Sequence, residues 1–284
     1  MRRPAVILAV LLVTFVPASA MERGLPLKAS IVGQGPAIVF IPGLNSSGTV
    51  WDAVVAGLKG RYTCHVLTLA GFAGEPAIEP PFLPTMRDAV VQYIQDQRLE
   101  QPAIVGHSLG GVLGLWVAAR APKKIGRIVT IDGVPFLPGL TNAAATADSI
   151  RPMAISMRDA FLRLSDADRA RQGTASASAL VTAPRHAQMV AAWAAASDPT
   201  TTGDAVMEVM TTDLRPEMAR IDRPVLLIAP DASAGIAADR FRQPYEQQFA
   251  AVRDHRIVFV PNARHFVMLD DPAAVLSAIN AFLN

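Results

Sequence analysis

Gly106-His107-Ser108-Leu109-Gly110 has the spacing G-x-S-x-G. A serine hydroxyl is a weak nucleophile near neutral pH and needs an adjacent base to take its proton. This pattern suits a sharp strand-to-helix turn that holds the serine in a strained backbone with its hydroxyl exposed, flanking glycines relieving the crowding. An apolar strand-like run, Pro102 to Val105, precedes it, and a helix-like run, Leu109 to Ala121, follows. Ser108 is therefore the candidate nucleophile, and the chemistry it would do is acyl transfer.

Five histidines could serve as the base: His65, His107, His186, His255 and His265. His107 lies inside the turn and cannot fold back onto its neighbour's hydroxyl. His65 sits within a strand and His255 at a strand start, so both read as structural or solvated. His186 lies in the helical middle segment, residues 136–222. His265 follows the Arg256 to Val260 strand and the loop Pro261-Asn262-Ala263-Arg264, just before the last helix. That places it at the carboxyl edge of the sheet, where Ser108 stands, and makes it the expected base. The base needs an orienting acid, and the chain order Ser, Asp, His is the one this arrangement uses. Asp231, after the Pro224 to Ala229 strand, is favoured; Asp132, after the Ile128 to Ile131 strand, satisfies the same order and stays open. Asp270 and Asp271 read as caps of the helix that starts at Pro272. Two backbone N–H groups should hold the developing oxyanion: that of Leu109, and that of Leu44 in the Pro42-Gly43-Leu44-Asn45 loop.

The elements that must position these residues alternate. Ala37 to Ile41 is a continuous apolar run, as for a strand buried on both faces. Tyr62 to Leu69 is a second strand, and Thr85 to Gln97 is an amphipathic helix. Strands at 102–105, 128–131, 224–229 and 256–260 alternate with helices at 109–121, 240–252 and 272–283. Strands alternating with helices imply a mostly parallel sheet with helices on its faces. Residues 136–222 break the rhythm: they are rich in Ala, Met, Ser and Thr, helical in period, and without a strand.

The residues then resemble a known family. Ile104-Val105-Gly106-His107-Ser108-Leu109-Gly110-Gly111 is similar to the nucleophile segment of lipase- and esterase-like members of the α/β-hydrolase superfamily. Leu69-Ala70-Gly71-Phe72-Ala73-Gly74 looks like the loop after their fourth strand, and Arg264-His265-Phe266-Val267-Met268-Leu269-Asp270-Asp271-Pro272 resembles their histidine loop. The resemblance covers the chain beyond its first twenty residues. It implies an α/β-hydrolase fold with residues 21–135 and 223–284 as the core and 136–222 as a helical cap inserted between the two halves of the sheet. Two departures stand out: Pro42-Gly43 where many relatives carry His-Gly, and Asp231 slightly early relative to their Gly-x-x-Asp pattern. The second keeps Asp132 in contention, since some members take the acid from the earlier strand end.

Residues 1–20 carry Arg2 and Arg3, an apolar run from Ala5 to Val16, and Ala18-Ser19-Ala20. This is the pattern of a cleaved secretory signal peptide, and its apolar run is shorter than a bilayer span. The expectation is a secreted or periplasmic enzyme. Removing the leader takes two of the 26 basic residues and leaves 24 against 24 acidic ones, which gives no reason to expect nucleic acid or an anionic surface as partner. Cys64 is the single cysteine, so an intrachain disulfide is excluded, and its apolar surroundings read as core. No metal cluster or dinucleotide loop is visible in the sequence, and no cofactor is expected. The expected partner is a small-molecule substrate, an apolar ester. Amide hydrolysis, acyl transfer to another acceptor, or a silent ligand-binding member of the fold are the alternatives.

Overall fold

A computed structural model describes residues 24–231 and 238–284, with the backbone alone for 238–241. The leader expected over residues 1–20 lies outside the described residues. Seven strands form one sheet: β1 (Leu27–Gly33), β2 (Ala37–Ile41), β3 (Thr63–Leu69), β4 (Ala103–His107), β5 (Ile128–Ile131), β6 (Val225–Pro230) and β7 (His255–Val260), in the order β1-β3-β2-β4-β5-β6-β7. All neighbours pair in parallel except β1 with β3. The Gly33 to Pro36 turn links β1 to β2 in sequence, yet β1 pairs with β3.

The apolar runs explain the sheet's burial. Val39 and Ile41 point into one core layer, and Ile38 and Phe40 into the other. The period-2 alternation of a strand thus feeds two hydrophobic cores at once. The helices α1 (Asp52–Leu58), α2 (Phe82–Asp96) and α3 (Leu109–Arg120) alternate with the strands up to β5. Four helices then follow between β5 and β6: α4 (Ala147–Leu162), α5 (Asp166–Leu180), α6 (Pro184–Ala196) and α7 (Pro199–Thr211). α4 packs on α7, and α5 on α6. The last helices are α8 (Ala238–Phe249), α9 (Val267–Asp270) and α10 (Pro272–Leu283).

Helix α2 begins at Phe82, three residues before the Thr85 start read from periodicity. The cause lies far along the chain. The Glu208 carboxylate on α7 accepts from the backbone N–H groups of Phe82 and Leu83 at 2.8 and 2.7 Å. First-turn N–H groups lack intrahelical partners, and an anion there is favoured by the helix dipole. The insertion is anchored elsewhere too. Ala73 N–H donates to the Ser197 hydroxyl at 2.9 Å and Asp198 N–H to the Gly71 carbonyl at 2.7 Å. Arg215 lies over the Phe136 ring and donates to the carbonyls of Ala143 and Ala145.

Candidate active site

The turn at Ser108 carries backbone strain. Ser108 has φ 50° and ψ −118°, a region that non-glycine residues rarely occupy. Gly106 and Gly110 make the turn possible by close approach. A Cβ at Gly106 would stand 2.2 Å from the Gly110 carbonyl oxygen, and one at Gly110 would stand 2.2 Å from that of Ile41. Helix α3 starts immediately after Ser108, so the Leu109 N–H belongs to its unsatisfied, electropositive first turn.

Strand register sets the acids. Ser108 N–H donates to the Ile131 carbonyl, Asp132 N–H to that of Ile228, and Asp231 N–H to that of Val260, each at 2.9–3.0 Å. The three residues therefore occupy equivalent steps at the carboxyl ends of β4, β5 and β6. Asp132 is one strand from Ser108 and Asp231 two. Position leaves both carboxylates as possible partners of His265; side-chain contacts separate them. Asp132 Oδ2 lies 2.6 Å from His265 Nδ1. The carboxylate of Asp231 is taken by Arg242, with Arg242 Nε donating to Oδ1 at 3.1 Å and Nη2 to Oδ2. The expectation that Asp231 orients His265 is thus corrected: the structure brings Asp132 there and commits Asp231 to an ion pair.

The His265 loop is braced from several sides. His107 donates from Nε2 to the His265 carbonyl at 3.0 Å, and the two rings meet at a tilt of 53° with centroids 4.6 Å apart. Complete burial holds the His107 imidazole well below its ordinary range, so the ring is neutral. Asp271 caps α10 through the Ala274 N–H at 2.9 Å, as expected. Asp270 does something else: its carboxylate accepts from Arg264 N–H and from both donors of Thr182. It ties the histidine loop to the end of α5 rather than capping α10.

The loop after β2 completes the floor. Ser46 N–H donates to the Gly43 carbonyl and Ser46 Oγ to that of Leu44, while Asn45 takes φ 57°. The Asn45 side-chain oxygen accepts from Thr202 on α7 at 2.7 Å. Leu44, Asn45, Ser108 and His265 line one cavity of about 570 Å³. Its roof comes from all four inserted helices, including Met157, Phe161, Leu180 and Val206. The charges on its wall are paired: Arg158 with Asp204, and Arg169 with Asp166.

Comparison with known proteins matches this architecture. Residues 38–278 fit the model described as the alpha/beta hydrolase family. The chain belongs to the alpha/beta hydrolase family. A pimeloyl-[acyl-carrier protein] methyl ester esterase of Nitrosomonas europaea is 26% identical over 264 residues, covering 88% of this chain and 96% of that one. The namesake of Aeromonas hydrophila is 32% identical over 105 residues, 36% of this chain, and the match spans only 40% of that relative's length. Among solved structures, a hydrolase from Pseudomonas aeruginosa PA01 superposes with TM-score 0.77 at 21% identity, covering 91% of this chain and 94% of that one. The enol-lactonase from Burkholderia xenovorans LB400 follows with TM-score 0.74 at 20% identity, covering 94% and 99%.

Within this alpha/beta hydrolase the other sequence candidates fall outside the cavity. His65 Nδ1 contacts the Tyr93 hydroxyl at 2.9 Å, and His255 donates to the Val252 carbonyl. Cys64 is buried, and burial pushes its thiol up to about 11, so it is an inert packing residue. Among the described residues no cluster of His, Cys, Asp or Glu could hold a metal, and no helix is long and apolar enough to cross a membrane. Sequence reasoning missed Tyr245, whose hydroxyl donates to Asp132 Oδ1 at 2.6 Å. It also missed Thr202 and Glu208, whose partners are more than a hundred residues away. No local pattern announces such contacts.

Proposed function

We propose that this alpha/beta hydrolase cleaves carboxylic esters through an acyl-enzyme on Ser108, with His265 as base and Asp132 as its orienting acid. The observation that carries the reading is the 2.6 Å contact between His265 Nδ1 and Asp132 Oδ2 beside a strained Ser108 that lines the same cavity. A carboxylate on Nδ1 keeps the proton there and leaves Nε2 as the acceptor. Ser108 Oγ attacks the ester carbonyl as Nε2 takes its proton, and the carbonyl electrons move onto oxygen. The N–H groups of Leu44 and Leu109 are assigned to that oxyanion; one such donor is worth on the order of 10²–10³ in rate. The tetrahedral intermediate collapses, the C–O bond breaks, and the alcohol leaves with the proton from His265. Water repeats the sequence on the acyl-enzyme and releases the acid.

Residues 136–222 serve in this reading as a cap that shapes the acyl site. Apolar side chains from the four helices and paired charges on the wall favour an apolar acyl portion. The likeness to the Nitrosomonas relative, a methyl ester esterase, supports an ester over an amide. The test is hydrolysis of p-nitrophenyl esters of increasing chain length by wild type and Ser108→Ala. Burial of a methylene is worth about 0.8 kcal/mol, so kcat/KM should rise about fourfold per CH₂ until the cavity fills. Ser108→Ala should lose at least about 10⁴ of the rate. Unchanged turnover in that variant, or fastest cleavage of the acetate, would refute the corresponding part.

A further inference from the structure

Asp132 sits at the end of β5 with its side chain about 10% exposed. One of its oxygens is on His265. The other, Oδ1, is largely removed from water and must find a donor of its own. It receives the Tyr245 hydroxyl at 2.6 Å, within the range of charge-assisted O–H···O⁻ bonds. Tyr245 is buried, and burial together with the Asp132 charge pushes its phenol above the ordinary range, so it remains a donor at working pH. The helix that carries it is fixed through one face. Three residues before Tyr245, Arg242 is paired with Asp231 and lies over the Phe259 ring, which meets the Tyr245 ring edge-on at 6.1 Å. Three residues after it, the Gln248 oxygen accepts from Phe136 N–H at 2.8 Å. Residues at this spacing share a helix face.

We propose that Tyr245 is a positioning residue for the acid–base pair: its hydroxyl holds Asp132 so that the second carboxylate oxygen stays on His265. Asp231, through Arg242, holds α8 in the place this requires. The inference rests on the reading of Ser108, His265 and Asp132 given above. Among the described residues, the titratable and charged groups facing the pair are His265 from the loop after β7, His107 from β4 with its ring tilted against that of His265, and Tyr245 from α8; Arg242 is engaged by Asp231. Removing the hydroxyl frees the carboxylate to turn and concentrates its charge. The more concentrated charge holds the protonated form of His265 more tightly.

The experiment is the pH profile of p-nitrophenyl ester hydrolysis by Tyr245→Phe, in wild type and in an Asp132→Asn background. In the wild-type background kcat should fall about tenfold with KM within about twofold, the loss of one hydrogen bond to a charged group. The acid limb of kcat/KM should move to higher pH, by up to about one unit. In the Asp132→Asn background the same change should cost less than about twofold, since the partner it serves is gone. Wild-type kcat and an unmoved acid limb in Tyr245→Phe, with Asp132→Asn strongly impaired, overturn the proposal alone. So does an equal loss in both backgrounds, which marks a structural effect. Wild-type turnover in Asp132→Asn overturns the reading of the site and the proposal with it. Should the Phe variant fail to fold, fluorotyrosine at the chain's three tyrosines keeps the shape and makes the hydroxyl a stronger donor. The acid limb should then move to lower pH, and an unmoved limb overturns the proposal.

Discussion

Two aspartates stand at equivalent strand ends, and what separates them is the company each carboxylate keeps. Asp132 is held between His265 and Tyr245, and Asp231 is neutralised by Arg242. Replacing the two should therefore cost unequally. Asp132→Asn should reduce kcat on a p-nitrophenyl ester by about 10⁴, because the imidazole loses its oriented tautomer. Asp231→Asn should reduce it by less than about tenfold, acting through the seating of α8. Equal losses would mean that the contacts do not distinguish the roles. Ser108, His265 and the loop at Leu44 were legible in the sequence because strand, turn and helix follow one another locally. The choice between the acids was not legible, since chain order admits both. Arg242 lies eleven residues beyond Asp231, and Tyr245 more than a hundred beyond Asp132.

At the scale of elements, the strands and most helices were readable from apolar runs and periodicity. The start of α2 was not. It depends on Glu208, which reaches across from α7 to the N–H groups of Phe82 and Leu83. A cap of this kind typically contributes about 1 kcal/mol, more when the acceptor is charged. Glu208→Ala should thus lower stability by about 1–2 kcal/mol in urea unfolding, with the slope unchanged. An unaltered midpoint would show that α2 starts at Phe82 without help. The same helix α7 also carries Thr202 to Asn45, so the inserted helices and the loop at Leu44 are held as one piece.

For the whole molecule, stability is tied to pH through buried neutral rings. Burial lowers His107 well below the ordinary value of 6.5 and lowers His65 below it as well. Unfolded, both rings bind a proton near that value; folded, they resist it. The unfolded state thus binds more protons below pH 6.5, and stability falls as pH drops through that point toward the lowered folded values. The slope is up to about 1.4 kcal/mol per pH unit for each ring that stays neutral. Urea midpoints at pH 7.5 and 5.5 should differ in that direction; equal midpoints would contradict it. The sequence placed His65 in a strand and His107 in a turn, but their burial follows only from the packing of two layers around the sheet.

On the proposed reading, Ser108 is a nucleophile made reactive by His265 and Asp132. The most direct measurement is intact mass and peptide mapping after treatment with a fluorophosphonate. One adduct per chain is expected, on Ser108, abolished in Ser108→Ala and strongly slowed in Asp132→Asn. No adduct on the folded protein, or an adduct on another residue, would contradict it.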